Sequence, residues 1–485
     1  MKNKIWKLCI LVMIPLVIWF IPPPEGLTEL SWRLSGFYLA AICGLILKPF
    51  SEAVVLLGVV GFAGFFLNNT SQILVGYATS TVWLVFAAFG ISISFVKTGL
   101  GRRIAFHMIR FCGSTTLRLG YVTAFLEFVI SPVTPSNTAR SGGIVFPIIL
   151  SVVKALGSEP GDTAKKAGSY LMSNIYFVMK VSSFMFITAM APNLLAADFA
   201  AKILGIHLDW GVWALAMVVP GLLLLLIVPA VGYYLDKPEL KKVDNKKIAD
   251  EGLAELGPIT RNEKLLVGIF ISALLGWALP SLLGQLFGIT LKIDATAVAI
   301  MAMALCILLG VIKWDDVLQN KGAWNTLLWF GGIIGLASAL SKEKVFDWLA
   351  NLIQNNVDFG HNPFIALTII GFLSIIIRYF FASASSYAIA MLPVFLTVGK
   401  VAGADPMALA LVLAATNSYG GALTHYGGGS APIIFGAGYN NVKQWWASGA
   451  VIATVCFIVT MTVGYVWWQF LVLLSNIADQ SIYSR

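Results

Sequence analysis

Charge is what this chain has least of. Only 11% of its 485 residues are Asp, Glu, Lys or Arg, less than half the share of an ordinary soluble domain. That is too little polar surface to keep a large globular core in water. Cysteine is also scarce: Cys9, Cys43, Cys112, Cys306 and Cys456 all lie in or beside apolar runs, and none stands in a CxxC pair. A zinc or disulfide framework is therefore not expected. The four histidines do not gather with acids at a spacing that would serve a metal centre or a nucleophile and its base, and there is no Walker A loop. The sequence thus argues against an enzyme, a metal site and a chain that hydrolyses ATP on its own.

Apolar sequence is what it has instead. Hydrophobic residues make up 58% of the chain, in runs of the roughly twenty residues that a helix needs to cross a bilayer. Spans are expected near 6–22, 33–49, 52–68, 80–97, 167–196, 210–235, 264–288, 294–312, 323–341, 406–438 and 446–475. Lys2, Lys4 and Lys7 precede the first run, but Ile21-Pro22-Pro23-Pro24 follows it where a signal peptide would carry a small-residue cleavage site, so a retained helix is expected. With the N-terminus in the cytoplasm, most of the 32 Lys and Arg residues fall in inside loops, the distribution that membrane insertion favours. This accounts for the net charge of +9 with the lipid bilayer as partner and no nucleic acid. The expected location is a bacterial inner membrane, crossed many times.

The strongly polar segment 237–264 divides the chain into halves that echo each other. Expected boundaries are an N-terminal transmembrane helix over 1–30, a first repeat over 31–236, a cytoplasmic linker over 237–264 and a second repeat over 265–485. Each half has a tryptophan-bearing span (Trp83, Trp324), then an apolar region folded about a polar centre (117–155, 362–402), then a span interrupted by proline (Pro192, Pro432). An odd number of crossings per half inverts the second half. The fold expected is an all-α polytopic membrane protein with about eleven transmembrane helices plus two re-entrant helical hairpins in two inverted repeats.

The polar centres carry the chemistry. The first reads Ser131-Pro132-Val133-Thr134-Pro135-Ser136-Asn137-Thr138-Ala139-Arg140-Ser141-Gly142-Gly143, and the second is Arg378-Tyr379-Phe380-Phe381-Ala382-Ser383-Ala384-Ser385-Ser386. The two interrupted spans hold Thr188-Ala189-Met190-Ala191-Pro192-Asn193 and Asn417-Ser418-Tyr419-Gly420-Gly421-Ala422-Leu423-Thr424-His425-Tyr426-Gly427-Gly428-Gly429-Ser430-Ala431-Pro432. Non-helical backbone at membrane depth survives only where it is buried in protein or lines a cavity. Its unpaired N–H groups suit carboxylates, and its carbonyls suit cations. A substrate site is expected where the two tips meet the two breaks: Ser136, Asn137, Thr138, Ser383, Ala384, Ser385, Pro192, Asn193, Thr424, Ser430 and Pro432.

Together, Pro135-Ser136-Asn137-Thr138-Ala139-Arg140, Ser383-Ala384-Ser385 and Thr424-His425-Tyr426 running into Pro432 make the chain, from about residue 30 to 470, resemble the divalent anion–sodium symporter family. The first string is similar to the branch that translocates citrate or exchanges 2-oxoglutarate for malate. The resemblance implies eleven helices with two re-entrant hairpins, a homodimer, elevator-type movement, and paired Ser-Asn-Thr tips that hold substrate carboxylates and help form two sodium sites. Ala384 stands where that family usually has Asn, which puts one sodium site in doubt.

Ionisable groups inside the bilayer are costly and usually functional. Lys180, Arg140 and His425 are the candidates for fixed cations that would replace sodium. An ion pair with Glu127 is the alternative for Lys180, and Arg378 is read as structural. The function expected is sodium-independent exchange of dicarboxylates of the 2-oxoglutarate, malate or succinate type. The alternative is sodium-coupled symport of di- or tricarboxylates. No cofactor is expected, and sodium is not favoured. The orientation has a direct test. A single cysteine placed between Lys241 and Lys247 should resist an impermeant maleimide on intact cells and react after permeabilisation, and one near Arg485 should do the reverse. A linker cysteine that labels from outside overturns the orientation.

Overall fold

The computed structural model describes residues 2–287, 291, 293–356 and 362–473. Arg485, expected outside, lies beyond the described residues. Among these residues the named elements are all helical. Ten helices are long and apolar enough to cross a membrane, and shorter apolar helices occupy Ile5–Phe20, Glu52–Leu67, Ala295–Leu308 and Pro363–Arg378.

The elements recur in the same order in both halves. After α1 (Lys2–Phe20) come α2 (Glu29–Leu47), α3 (Glu52–Leu67), the short α4 (Thr70–Leu74), α5 (Ser80–Thr98) and the amphipathic α6 (Leu100–Cys112). A hairpin of α7 (Thr116–Ile130) and α8 (Phe146–Ala155) follows, then the broken pair α9 (Gly168–Met185) and α10 (Ala191–Phe199), and then α11 (Trp210–Leu235). The linker carries α12 (Asn245–Leu256). The second half runs α13 (Arg261–Phe287), α14 (Ala295–Leu308), the short α15 (Trp314–Leu318), α16 (Lys321–Lys342) and α17 (Val345–Asn356). Its hairpin is α18 (Pro363–Arg378) and α19 (Ala384–Val401), its broken pair α20 (Pro406–Tyr419) and α21 (Ala431–Phe435), and its last helix α22 (Val442–Val459).

The breaks have local causes. In the first, Phe186 and Met190 adopt extended conformations on either side of the turn Ile187–Ala189. Pro192 then sits in the first turn of α10, the one helical position where its missing N–H costs nothing. In the second, α20 ends at Tyr419 in a short turn over Gly420–Leu423, and regular structure resumes at Ala431 with Pro432 in its first turn.

Helices α1–α5 pack with α13–α17. The two hairpins, the two broken pairs, α11 and α22 form a second set. The linker is docked rather than loose. Buried Arg103 donates to Glu263 at 2.6 Å and to the Gly257 carbonyl at 2.9 Å, Asn245 donates to the carbonyl of Arg110 at 2.7 Å, and Thr115 bridges to Lys242. Within lipid, helices associate by close packing rather than by escape from water. The tightest approach in the first set is between the turn after α4 and α16: a Cβ on Gly335 would lie 1.8 Å from the carbonyl oxygen of Ile73, and one on Gly76 would lie 2.1 Å from that of Gly331. Backbone cannot rotate away as a side chain can. Gly335→Ala should therefore cost at least the ~1–3 kcal/mol of ordinary overpacking, read as a lowered thermal midpoint in detergent. An unchanged midpoint would show that α16 and the α4 turn can separate without loss.

Candidate functional site

The first hairpin tip is organised by one guanidinium. Arg140 lies in the π-helical turn Thr138–Val145 and is fully buried. Its Nε donates to Glu127 Oε2 at 2.7 Å. Nη1 donates to the carbonyls of Thr134 and Ala189 at 3.0 and 2.9 Å, and Nη2 to the hydroxyls of Ser182 and Ser183 at 3.3 and 3.0 Å. All five donors are used. Glu127 also accepts from Ser141 and, at 3.1 Å, from Ser182. The network ties both arms of the hairpin to α9 and to the first break. Arg140, expected among the fixed cations, thus has its charge matched by Glu127 and no donor left for an anion. The Lys180–Glu127 pair considered from sequence is not formed, because Arg140 holds that carboxylate.

A different arrangement surrounds the second break. The loop after α20 folds back on the turn it leaves, so that a Cβ on Gly421 would meet Gly427 O at 2.5 Å, and one on Gly427 would meet Gly421 O at 2.2 Å. Only glycine fits at either place. This close fold presents the Gly427 carbonyl to two cations. Lys180 Nζ donates to it at 3.2 Å and Arg378 Nη2 at 2.8 Å. Arg378 also donates to the carbonyls of Asn417, at 3.2 Å, and Phe381. Lys180 Nζ stands 4.7 Å from the centre of the Tyr176 ring, whose hydroxyl donates to Gly421 O at 2.7 Å. Both cations are buried. Among the described residues no ion pair involves either of them.

The first tip reaches the same loop. A Cβ on Gly429 would lie 2.5 Å from Thr138 Oγ1, and one on Gly428 would lie 3.0 Å from Lys180 Nζ. Ser430, across from Gly142 of the tip, is 1% exposed and its hydroxyl has no protein partner. Neither amide atom of Asn417, equally buried, has one. Buried polar groups left without partners are expensive, and these belong to the same break on which Lys180 and Arg378 converge with no acid paired to either among the described residues. The arrangement is suited to a small molecule with two negative groups and further acceptors.

Of the residues expected at the site, Thr138, Lys180, Thr424 and Ser430 converge here, with Gly427 N–H donating to the Thr424 carbonyl at 3.2 Å. Ser136 and Asn137 are half-buried at the adjoining tip, and Pro432 opens α21 just beyond the loop. Pro192 is buried at the start of α10, and Asn193 braces the first break by donating to the carbonyls of Ser183 and Phe186 at 2.7 and 2.9 Å. His425 Nδ1 accepts from Trp446 Nε1 at 3.0 Å, and its ring packs against Phe435 and Trp446. At the second tip Ala384 and Ser385 are half-buried, and Ser383 is bonded to Glu52 of α3 at 3.1 Å. Sequence reasoning gave Arg378 a structural role and passed over Asn417 and Tyr176. The signal available for Arg378 was an arginine within an apolar region with no acid nearby in sequence.

Comparison with known proteins fits this geometry. Residues 2–474 match the family model described as the sodium:sulfate symporter transmembrane region. The chain is 52% identical to the inner membrane protein YbhI of Escherichia coli K12, covering 97% of this chain and 98% of that one. It is 34% identical to the citrate/succinate antiporter of the same organism, covering 96% and 98%. Its fold is similar to the crystal structure of the Alcanivorax borkumensis YdaH transporter, with a TM-score of 0.55 at 13% identity over 96% of this chain and 98% of that one.

The Glu127–Arg140 pair makes a separable claim. Arg140→Ala and Glu127→Ala each strand a buried charge and should each lower stability by ~3–5 kcal/mol, whereas removing both charges together should cost far less than the sum. Thermal unfolding of the singles and the double reads this out. Additive losses would mean that the two side chains act independently.

Proposed function

This chain belongs to the sodium:sulfate symporter family of divalent-anion carriers, and we propose that it is a secondary transporter exchanging dicarboxylates one for one across a bacterial inner membrane without sodium. The observation that carries this reading is the convergence of Lys180 and Arg378 on the Gly427 carbonyl with no acid among the described residues paired to either. A dicarboxylate dianion supplies the two missing negative charges. Loaded, the site is close to neutral. Empty, it holds two buried charges that cost several kcal/mol to carry through a low-dielectric barrier. Sodium would dissociate with the substrate and leave a mobile empty carrier, but the Arg378 guanidinium can neither leave nor give up its proton. Only the loaded form then crosses readily, and exchange follows.

The remaining contacts divide between the tips. Ser136, Asn137 and Thr138 approach one carboxylate from the first hairpin, while Ser383 and Ser385 approach the other from the second. Ala384 offers no amide oxygen to a cation, and the Gly427 carbonyl that could ligate sodium is already shared by two positive side chains. The antiport ascribed by name to the 34% identical citrate/succinate antiporter supports exchange over the alternative, sodium-coupled symport. The movement is of the elevator type, the hairpins and broken pairs sliding against α1–α5 and α13–α17. The working unit is a homodimer with the N-terminus and linker in the cytoplasm. Arg140 acts as a brace for the first tip, while Lys180 and Arg378 are the fixed cations.

Proteoliposomes preloaded with succinate should take up labelled succinate equally in sodium and choline buffers, and empty ones should take up little. Strict dependence on external sodium would replace this reading with symport. Lys180→Met should lower exchange on the order of 100-fold, the cost of losing one partner of a buried charge pair. It should not lower the thermal midpoint, because among the described residues Lys180 Nζ makes one hydrogen bond and no ion pair. Arg378 is not equivalent, since three carbonyls depend on it.

A further inference from the structure

The second hairpin tip is engaged by a carboxylate that the protein itself provides. Ser383 caps α19. Its hydroxyl oxygen accepts from Ser386 N–H at 3.3 Å, and its hydroxyl proton goes to Glu52 Oε1 at 3.1 Å. Glu52 is the first residue of α3, in the other set of helices, and Lys48 Nζ lies 3.8 Å from the same oxygen. Two further hydrogen bonds join the same surfaces, from Ser386 Oγ to the Leu45 carbonyl and from Tyr38 Oη to the Ile389 carbonyl, both at 3.2 Å. The first half's tip is held differently. Its Ser136 accepts from Ala139 N–H inside its own turn, and Asp294, which precedes α14 as Ser51 and Glu52 open α3, accepts from Ala297 N–H of its own helix. Two halves with the same element order thus hold their tips differently, and among the described residues a carboxylate from the other set of helices reaches the tip serine only in the second.

We infer that Glu52 is an internal substitute for a substrate carboxylate, which latches the second tip to α3 while the site is empty. The inference rests on the reading above in one respect, that the tip hydroxyls bind substrate. A serine hydroxyl has a single proton to donate, so Ser383 serves Glu52 or an incoming carboxylate but not both. The bonds to Leu45 and Ile389 are neutral and made to backbone; the bond to Glu52 is charge-assisted and the stronger of the set. An arriving dianion accepts the hydrogen bond of Ser383 in place of Glu52 and leaves Glu52 to Lys48, so the tip detaches from α3 only when the site is filled. This is a restraint on the empty carrier separate from the unmatched cations, and it acts at the boundary between the two sets of helices rather than inside one.

The test reads the tip directly. Amide hydrogen exchange over residues 379–389 is compared in nanodiscs for the wild-type chain, Glu52→Gln and Glu52→Ala, without substrate. Exchange at the tip should be about tenfold faster in Glu52→Ala and intermediate in Glu52→Gln, which keeps an acceptor but not its charge, with α11 unaffected. Uptake of labelled succinate into unloaded proteoliposomes should rise several-fold in Glu52→Ala while exchange persists. Glu52 is partly exposed at a helix end, so both variants are expected to fold. Tip exchange that does not change in Glu52→Ala overturns the latch whatever the transport result. If the wild-type chain fails to exchange dicarboxylates, the substrate reading falls, and the tip measurement still decides whether Glu52 holds Ser383.

Discussion

Lys180 and Arg378 meet at the carbonyl of Gly427 inside a bundle of apolar helices, where an unmatched charge costs several kcal/mol. Much of the surrounding structure is what that placement requires. The loop must fold back to within van der Waals range of Gly421, so both positions are glycine. The helix on that side must end early, so that its last carbonyls, including that of Asn417, are free to accept from Arg378. Tyr176 must lie under the ammonium with its hydroxyl turned to Gly421.

The same interior holds a third buried cationic side chain, the guanidinium of Arg140, in the opposite way. Arg140 has a carboxylate, two carbonyls and two hydroxyls, and with every donor placed it adds rigidity to the first hairpin and draws nothing in. Comparing the two arginines separates structure from function without reference to residue type. Arg140 closes a neutral network, whereas Arg378 donates to three backbone carbonyls and, among the described residues, meets no acid. Burial is complete in both cases, and the presence or absence of a counter-charge makes the difference.

The two hairpins are likewise built from one pattern and used unequally. Each sits between an amphipathic helix and a broken pair, and each turns at a serine-bearing tip. The first tip is braced from within its own set of helices, through Glu127, α9 and the first break. The second is tied outward, to Tyr38, Leu45 and Glu52 of α2 and α3.

Much of the fold was legible in the sequence because its causes are local. Apolar runs of sufficient length, Pro192 and Pro432 at the resumption of broken helices, and glycine strings where backbone must approach backbone are each readable from neighbouring residues. Lys180, Thr138 and Ser430 could be nominated for the same reason, as polar groups where hydrocarbon allows few. The helical linker and its docking through Arg103 were not visible as more than a polar stretch. The pairings were less visible still. Which acid Arg140 meets, which carbonyl Lys180 and Arg378 share, and where Ser383 sends its proton depend on residues brought together across up to 331 positions of chain. The partner of His425, Trp446, lies 21 residues on and is likewise set by packing. An ionisable side chain advertises its presence by its type, but its charge is free or spent according to the partner that tertiary packing delivers. The sequence by itself therefore determined the helices, their breaks and the candidates, and only the tertiary structure decided which of the buried cations remain unmatched.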